Sequence, residues 1–182
     1  MRGFTTVACI VALAISSAAC GNEQGGSGPQ AEISGGVSIP VEMLADLTLS
    51  HGQLVYVPVY SHVVRTDGLP PFAFAVNVSI RNTDSKHPIG ITSARYYDTD
   101  GKLLKEYLQE PRGLAPLGTT TLFVKQSDMA GGLGANFLIE WVAEEAVTEP
   151  VIEAVMIGQR EVRMCAFRSP GRVVEERSGE KD

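Results

Sequence analysis

Residues 72–81 alternate large apolar side chains with small or polar ones, and this pattern constrains the fold more than any other feature of the chain. One face would carry Phe72, Phe74, Val76, Val78 and Ile80, and the other Ala73, Ala75, Asn77, Ser79 and Arg81. Because successive side chains of a strand point to opposite faces, a period of two over ten residues predicts a strand with one buried face.

Further segments rich in β-branched and aromatic residues follow at near-regular spacing. They cover residues 54–60, 89–97, 102–108, 119–125, 136–143, 151–157 and 162–167. Asp98-Thr99-Asp100-Gly101 predicts a hairpin turn, with Gly101 free to take a positive φ. Pro58 cannot donate to a ladder and predicts that its strand lies at a sheet edge. Alternation in 136–143 places the single tryptophan, Trp141, on the buried face.

Seven or eight strands without a long amphipathic helix predict an all-β fold. We expect a single antiparallel β-sandwich, immunoglobulin-like in the broad sense, over residues 53–175, with a small barrel as the alternative. The Cys…Trp…Cys signature of true immunoglobulin domains is absent from the sequence.

The N-terminus has the layout of an export signal. Arg2 precedes an apolar run over residues 7–15, which is shorter than the ~20 residues that cross a bilayer as a helix. Ser17-Ala18-Ala19-Cys20 resembles a bacterial lipobox, in which lipid is attached to the cysteine and the leader is cut before it. Ser17 stands where that motif usually has Leu, so a cut after Ala19 without lipid is the alternative. The expectation is an exported protein with a signal peptide over 1–19, anchored to the cell envelope by lipid on Cys20 and facing the periplasm or exterior.

The segments flanking the sandwich differ from it in composition. Residues 20–36 contain the anchor cysteine and a glycine-rich run that predicts a flexible linker. Residues 37–52 form a lead-in, with a short helix predicted over 40–50 that begins at Pro40 and ends at His51-Gly52. Residues 176–182 are predicted to be a charged, disordered tail.

The cysteine count excludes an internal disulfide. Of three cysteines, Cys9 would leave with the leader and Cys20 would be acylated, so only Cys165 remains. The domain must then be stabilised by its core alone, with Cys165 expected as a small buried hydrophobic residue. A net charge of −6 argues against a nucleic-acid partner.

The glycine-rich segment over residues 127–136 is the best candidate binding loop. Asp128, Gly131, Gly132 and Asn136 belong to it, and backbone N–H groups at the glycines could form a nest for an anion. The alternative is a flexible connection between strands. Convergence of Asp128 and Asn136 with Tyr96, Tyr97, His62 or His87 in one pocket would favour a functional site.

Catalytic and metal-binding patterns are weak. Asp98 to Gly101 begins like a calcium loop, but position twelve is Gln109 rather than the required Glu. His51, His62 and His87 have no metal-ligand spacing, and Cys165 lacks the setting of a reactive thiol. We therefore predict no catalytic residue, no metal site and no cofactor.

Several segments carry a family resemblance. They are Val55 to Ser61, Ser79 to Asp84, Arg95 to Lys102, Gly134 to Phe137 and Glu153 to Gly158. Over about residues 50–175 the chain resembles a bacterial family of exported, often lipid-anchored proteins catalogued as a domain of unknown function. The portion from Ser79 to Lys102 also resembles the sandwich domain of late-embryogenesis-abundant stress proteins, which implies the same fold and a link to envelope stress.

The functional expectation is a non-enzymatic, lipid-anchored cell-envelope protein that binds a ligand or an envelope protein partner. One alternative is a structural or stress-protective envelope protein. The other is a metal carrier or enzyme that uses the 127–136 loop.

Overall fold

The computed structural model describes residues 51–178, and these residues form an antiparallel β-structure. The strands are β1 (His51–Pro58), β2 (His62–Val63), β3 (Phe72–Ala73), β4 (Ala75–Arg81), β5 (Ile89–Tyr97), β6 (Leu103–Glu106), β7 (Arg112–Leu114), β8 (Thr119–Val124), β9 (Asn136–Ala143), β10 (Val151–Arg160), β11 (Arg163–Pro170) and β12 (Arg172–Ser178). The predicted all-β sandwich is confirmed, but the predicted count of seven or eight strands is wrong.

Two sheets make the sandwich. One has six strands in the order β12-β1-β9-β5-β6, with β7 also paired to β5, and the other has the order β11-β10-β4-β8. The short ribbon β2-β3 forms a third sheet. Every pairing is antiparallel.

The core lies between the sheets and follows the predicted alternation. In β4, Val76, Val78 and Ile80 are fully buried. In β9, Phe137, Ile139 and Trp141 are buried as predicted, and the Trp141 indole N–H donates to Oε1 of the buried Gln53 at 3.2 Å. Burial of such side chains contributes about 1.5–3 kcal/mol each to the free energy of folding. The core between the sheets therefore stabilises the domain, whose one described cysteine, Cys165, is free.

Four missed strand features explain the count. Residues 72–81 divide into β3 and β4 at Phe74, whose N–H bonds to Ser61 O at 2.8 Å instead of joining a ladder. The two-residue β2 and the three-residue β7 are too short to produce a period. The fourth feature is β12, for which the sequence indicates strand character only over residues 172–174.

The strand β12 corrects the predicted C-terminal boundary and the predicted edge position of β1. It pairs with β1 from Arg172 to Ser178, so residues 176–178 belong to the sheet rather than to a disordered tail. As a result, β1 is an inner strand between β12 and β9. Pro58 is tolerated because it is the last residue of β1, beyond the segment that pairs with β12.

The N-terminal boundary also moves. His51 and Gly52, predicted to end a helix, are the first residues of β1. The leader, Cys20, the linker and residues 40–50 lie outside the described residues.

The sandwich has two ends with different contents. The end that we call terminal holds His51 and Ser178, which pair with each other. The opposite end, here called distal, holds the β10–β11 turn at Glu161 and Val162, the β5–β6 turn, and the glycine-rich loop between β8 and β9.

The exposure of Cys165 contradicts the sequence expectation. It lies in β11, an edge strand that pairs only with β10 among the described strands. Both Cys165 and its neighbour Met164 are exposed.

Candidate functional site

The glycine-rich loop is fastened to two other segments of the distal end. Gly131 O accepts from the backbone N–H and from Oγ1 of Thr99, both at 3.0 Å. Gly132 O accepts from the N–H and Oγ of Ser61, both at 3.1 Å. The loop therefore joins the β5–β6 turn to the segment that follows β1.

Several N–H groups of the predicted anion nest are already used inside the protein. Ala130 N–H donates to the Asp128 carboxylate at 3.0 Å, and Gly132 N–H donates to Met129 O at 3.2 Å. Gly134 N–H donates to Thr99 Oγ1 at 3.0 Å. The Asp128 carboxylate accepts a hydrogen bond inside the loop, so these contacts favour internal packing over the binding of an anion. A binding role for Asp128, Gly131, Gly132 and Asn136 stays a prediction.

A buried phenol lies under this loop. Tyr96 is 2% exposed and stacks on Phe137 with ring centroids 4.8 Å apart. Its hydroxyl has no hydrogen-bond partner among the described residues. Burial, with Asp128 and Asp98 nearby, raises the pKa of Tyr96 to about 12. The phenol therefore stays protonated at neutral pH and is unsuited to act as a base there.

The residues whose convergence would mark a site do not all meet. Asn136 begins β9 opposite Tyr97, at the distal end. His62 lies there too, because its Nδ1 is 3.1 Å from Oγ of Ser61, which is bonded to the glycine-rich loop. His87 lies at the terminal end, with its ring nitrogens 3.4 Å from carboxylate oxygens of Asp84 and Glu145.

At the terminal end, polar side chains join loops. The buried Asn82 donates from Nδ2 to the carbonyls of His87, Leu114 and Ala115 at 2.9, 3.3 and 3.1 Å. The Asp84 carboxylate accepts backbone N–H bonds from His87 and Lys86, both at 2.8 Å, which with a third from Thr148 lower its pKa to about 2. These contacts are structural, because they occupy the side chains with neighbouring backbone groups.

A different part of the distal end contains a cavity. Its volume is about 370 Å³. It is lined by Arg65, Leu69, Phe72, Arg160, Glu161, Val162 and Arg163. It therefore lies between the β10–β11 turn and the segment joining β2 to β3, and none of the four predicted loop residues lines it.

The lining carries an excess of positive charge. The Arg65 guanidinium donates to Asp67 in a two-point contact, and this hydrogen bonding raises the pKa of Arg65 and lowers that of Asp67. Arg160 and Arg163 form no ion pair or hydrogen bond through their side chains with the other described residues. Two uncompensated guanidinium groups therefore border the cavity, against the one carboxylate of Glu161.

Exposed apolar side chains surround the same cavity. Val162 is 98% exposed at the tip of the turn, and Leu69 is 53% exposed. The preceding Glu161 has a φ of 54°, in the left-handed region that residues with a side chain seldom adopt. A two-residue hairpin turn commonly requires a positive φ, and this turn presents Val162 to solvent.

Sequence reasoning missed this cavity. The sequence feature that could have indicated it is the run Arg160-Glu161-Val162-Arg163, where one apolar residue lies among charged residues at the junction of two predicted strands. The chain separates Arg65 and Leu69 from this run by about 95 residues, so only the packing of β3 against β10 brings them together.

The described part of the chain contains neither a metal-binding cluster nor a membrane-spanning helix. Within residues 51–178, no three His, Cys, Asp or Glu side chains are grouped so that they could hold a metal ion. The same residues include no helix long and apolar enough to cross a membrane.

Comparison with known proteins identifies the family. A model described as "Protein of unknown function (DUF3124)" matches residues 52–174. The chain belongs to the DUF3124 family. This confirms the resemblance to a domain of unknown function over nearly the whole sandwich. No curated protein and no solved structure matches the chain. The DUF3124 match contains the glycine-rich loop. It also contains every residue that lines the cavity bordered by Arg65, Arg160 and Arg163, which we call the arginine cavity.

Proposed function

We propose that this DUF3124 protein is a lipid-anchored protein of the cell envelope and that its sandwich is a non-enzymatic binding module. The anchor would be Cys20, at the end of a short apolar leader and before a glycine-rich segment. The binding surface would be the distal end of the sandwich.

The separation of the two ends is the observation that carries this proposal. His51 and Ser178, where the described chain begins and ends, pair at the terminal end. The arginine cavity and the exposed Val162 lie at the opposite end. A tether joined at one end leaves the other free to meet a ligand, and exposed apolar side chains beside unpaired charges are typical of interaction sites.

The anchor is tested by the mass of the N-terminal peptide from membrane-extracted protein. The expected peptide begins at Cys20 and carries the mass of a diacylglyceryl group. Replacement of Cys20 by Ser should release the protein from washed membranes, because two acyl chains give stable anchoring. Cys9→Ser is the matched control and should leave membrane retention unchanged. An unmodified Cys20 in retained protein contradicts the anchor.

The binding end is tested by affinity capture from detergent-solubilised membranes. The wild-type chain is compared with the double variant R160Q/R163Q and with R168Q, which alters another exposed arginine of β11 that pairs with Glu153 instead of lining the cavity. A partner captured by the wild type and R168Q but lost from the double variant supports the proposal. Equal capture by all three contradicts binding through the distal end.

A further inference from the structure

We propose that the arginine cavity binds an anionic amphiphile, in which a phosphate or carboxylate group is joined to an apolar chain. This inference rests on the proposed function, because it names the ligand class of the same distal end. The cavity volume of about 370 Å³ lies within the ~300–1,000 Å³ of small-molecule sites.

Two neighbouring arginines of the lining favour the binding of an anion. Arg160 and Arg163 are directly opposite each other in the ladder between β10 and β11. Side chains at such positions are separated by about 5 Å at Cβ, and like charges there repel each other. Neither has an ionic partner in the described part of the chain. An oxyanion between the two guanidinium groups would replace this repulsion with charge-assisted hydrogen bonds.

The charge of the whole protein makes this placement informative. The net charge is −6, so a cavity whose unpaired charges are mainly positive differs in sign from the protein as a whole. Salt screens the more distant carboxylates beyond about 8 Å at physiological ionic strength. The local field at the cavity is therefore set by its own lining, in which the unpaired Arg160 and Arg163 outnumber Glu161, while Arg65 is neutralised by Asp67.

The apolar part of the lining favours an anion that carries an alkyl chain. Leu69, Phe72 and Val162 contribute to the wall, and Val162 is almost entirely exposed. An inorganic ion would leave these side chains in water. An alkyl chain would cover them, at about 25 cal/mol for each Å² of apolar surface removed from water.

Contacts beneath the cavity hold this wall in place. A Cβ at Gly158 would overlap the ring of Phe72 and lie 2.6 Å from Ala73 O, so glycine allows β10 to approach β3 closely. Phe72 in turn packs on Phe74, with ring centroids 5.4 Å apart. Phe72 is thus fixed against the core, and a ligand would find this aromatic wall already formed.

Arginine footprinting tests the inference on the full chain in a non-ionic detergent. Phenylglyoxal modifies accessible guanidinium groups, and peptide mass spectrometry reports the extent at each arginine. Hexyl phosphate is the probe, with inorganic phosphate as the anion without a chain and hexanol as the chain without an anion. We expect hexyl phosphate to protect Arg160 and Arg163, and to leave the exposed Arg172 unprotected.

Variants make the footprint specific. The variant V162S removes an apolar group that contacts solvent and should weaken protection of the arginines without affecting folding. In R160Q, half-protection of Arg163 should require about tenfold more hexyl phosphate, the loss expected for one charge-assisted hydrogen bond. R168Q should bind as the wild type does.

Vesicles distinguish the two sources of such a ligand. Protection by hexyl phosphate assigns a free amphiphile. Protection only by vesicles of phosphatidylglycerol and phosphatidylcholine, with the protein transferred out of detergent, assigns a lipid headgroup. Protection by neither overturns the inference, as does equal protection by inorganic phosphate. That failure would be separate from failure of the proposed function, which the capture experiment with R160Q/R163Q tests without assuming any ligand class.

Discussion

The hydroxyl oxygen of Tyr96 lies directly against Gly131, where an added Cβ would overlap it. Gly131 is therefore required by packing, and the hydroxyl beneath it is buried without a partner among the described residues. In the structure this glycine allows a close approach to the protein's own core.

The substitutions Gly131→Ala and Tyr96→Phe should have opposite effects on the free energy of unfolding. Overpacking by the new methyl group should cost about 1–3 kcal/mol. Removal of the unpartnered hydroxyl should stabilise the fold by about 1 kcal/mol, because its desolvation is no longer required. Urea unfolding monitored through Trp141 measures both. In the double variant, Tyr96→Phe should recover part of the loss; strictly additive effects would contradict the contact.

Asn82 should be the most sensitive polar residue of the terminal end. Its Nδ2 serves three backbone carbonyls, and its Oδ1 accepts the Asp84 N–H at 3.0 Å. Asn82→Asp keeps the shape but removes both donors, so it should destabilise the domain by about 3 kcal/mol or more. The control Asn77→Asp changes the same residue type on the outward face of β4, where the side chain is only partly buried, and should cost much less. Similar losses in thermal unfolding at the two positions would contradict the role of Asn82.

The sandwich was predictable because its signals are local. Alternation in residues 72–81 and 136–143 identified β4, β9 and the buried Trp141, and turn chemistry identified the β5–β6 hairpin. The strand β12 was only partly predictable. Val173 and Val174 are β-formers within the predicted domain, but the charged residues that follow join the strand through pairing with β1, more than 100 residues earlier in the sequence. The same limit applies to the arginine cavity, whose lining residues meet only through the packing of distant strands.

Asp84 gives a pH dependence of stability with a defined sign. Its pKa is lowered from 3.8 to about 2 in the folded protein by hydrogen bonds from backbone N–H groups. The carboxylate therefore stabilises the fold above its unfolded pKa, and this contribution is lost as pH falls through the folded pKa. Asp84→Asn should be less stable than the wild type at pH 7, and the difference should shrink between about pH 4 and pH 2. Asp100→Asn, in the exposed β5–β6 turn, is the control for the removal of one surface carboxylate. A constant difference for Asp84→Asn across this range would contradict the assignment.

Cys165 should react with a maleimide reagent in the native protein. It is exposed in the edge strand β11, so the rate measured by peptide mass spectrometry should be unaffected by denaturant to within a few-fold. Ala154→Cys in a Cys165→Ser background supplies a reference thiol at a fully buried position of the adjacent strand. That thiol should react only on unfolding. Slow labelling of Cys165 that denaturant accelerates would indicate that another part of the chain or a partner covers β11.

The central claim is that the distal end is the binding end. A photo-crosslinking amino acid placed at Val162 in intact cells tests it most directly, with Lys86 as the matched exposed position at the terminal end. The account predicts a discrete crosslinked product, lipid or protein, at position 162 that is lost in the R160Q/R163Q background, and no such product at position 86. Crosslinking at position 86 alone, or equal crosslinking at both positions, would contradict it.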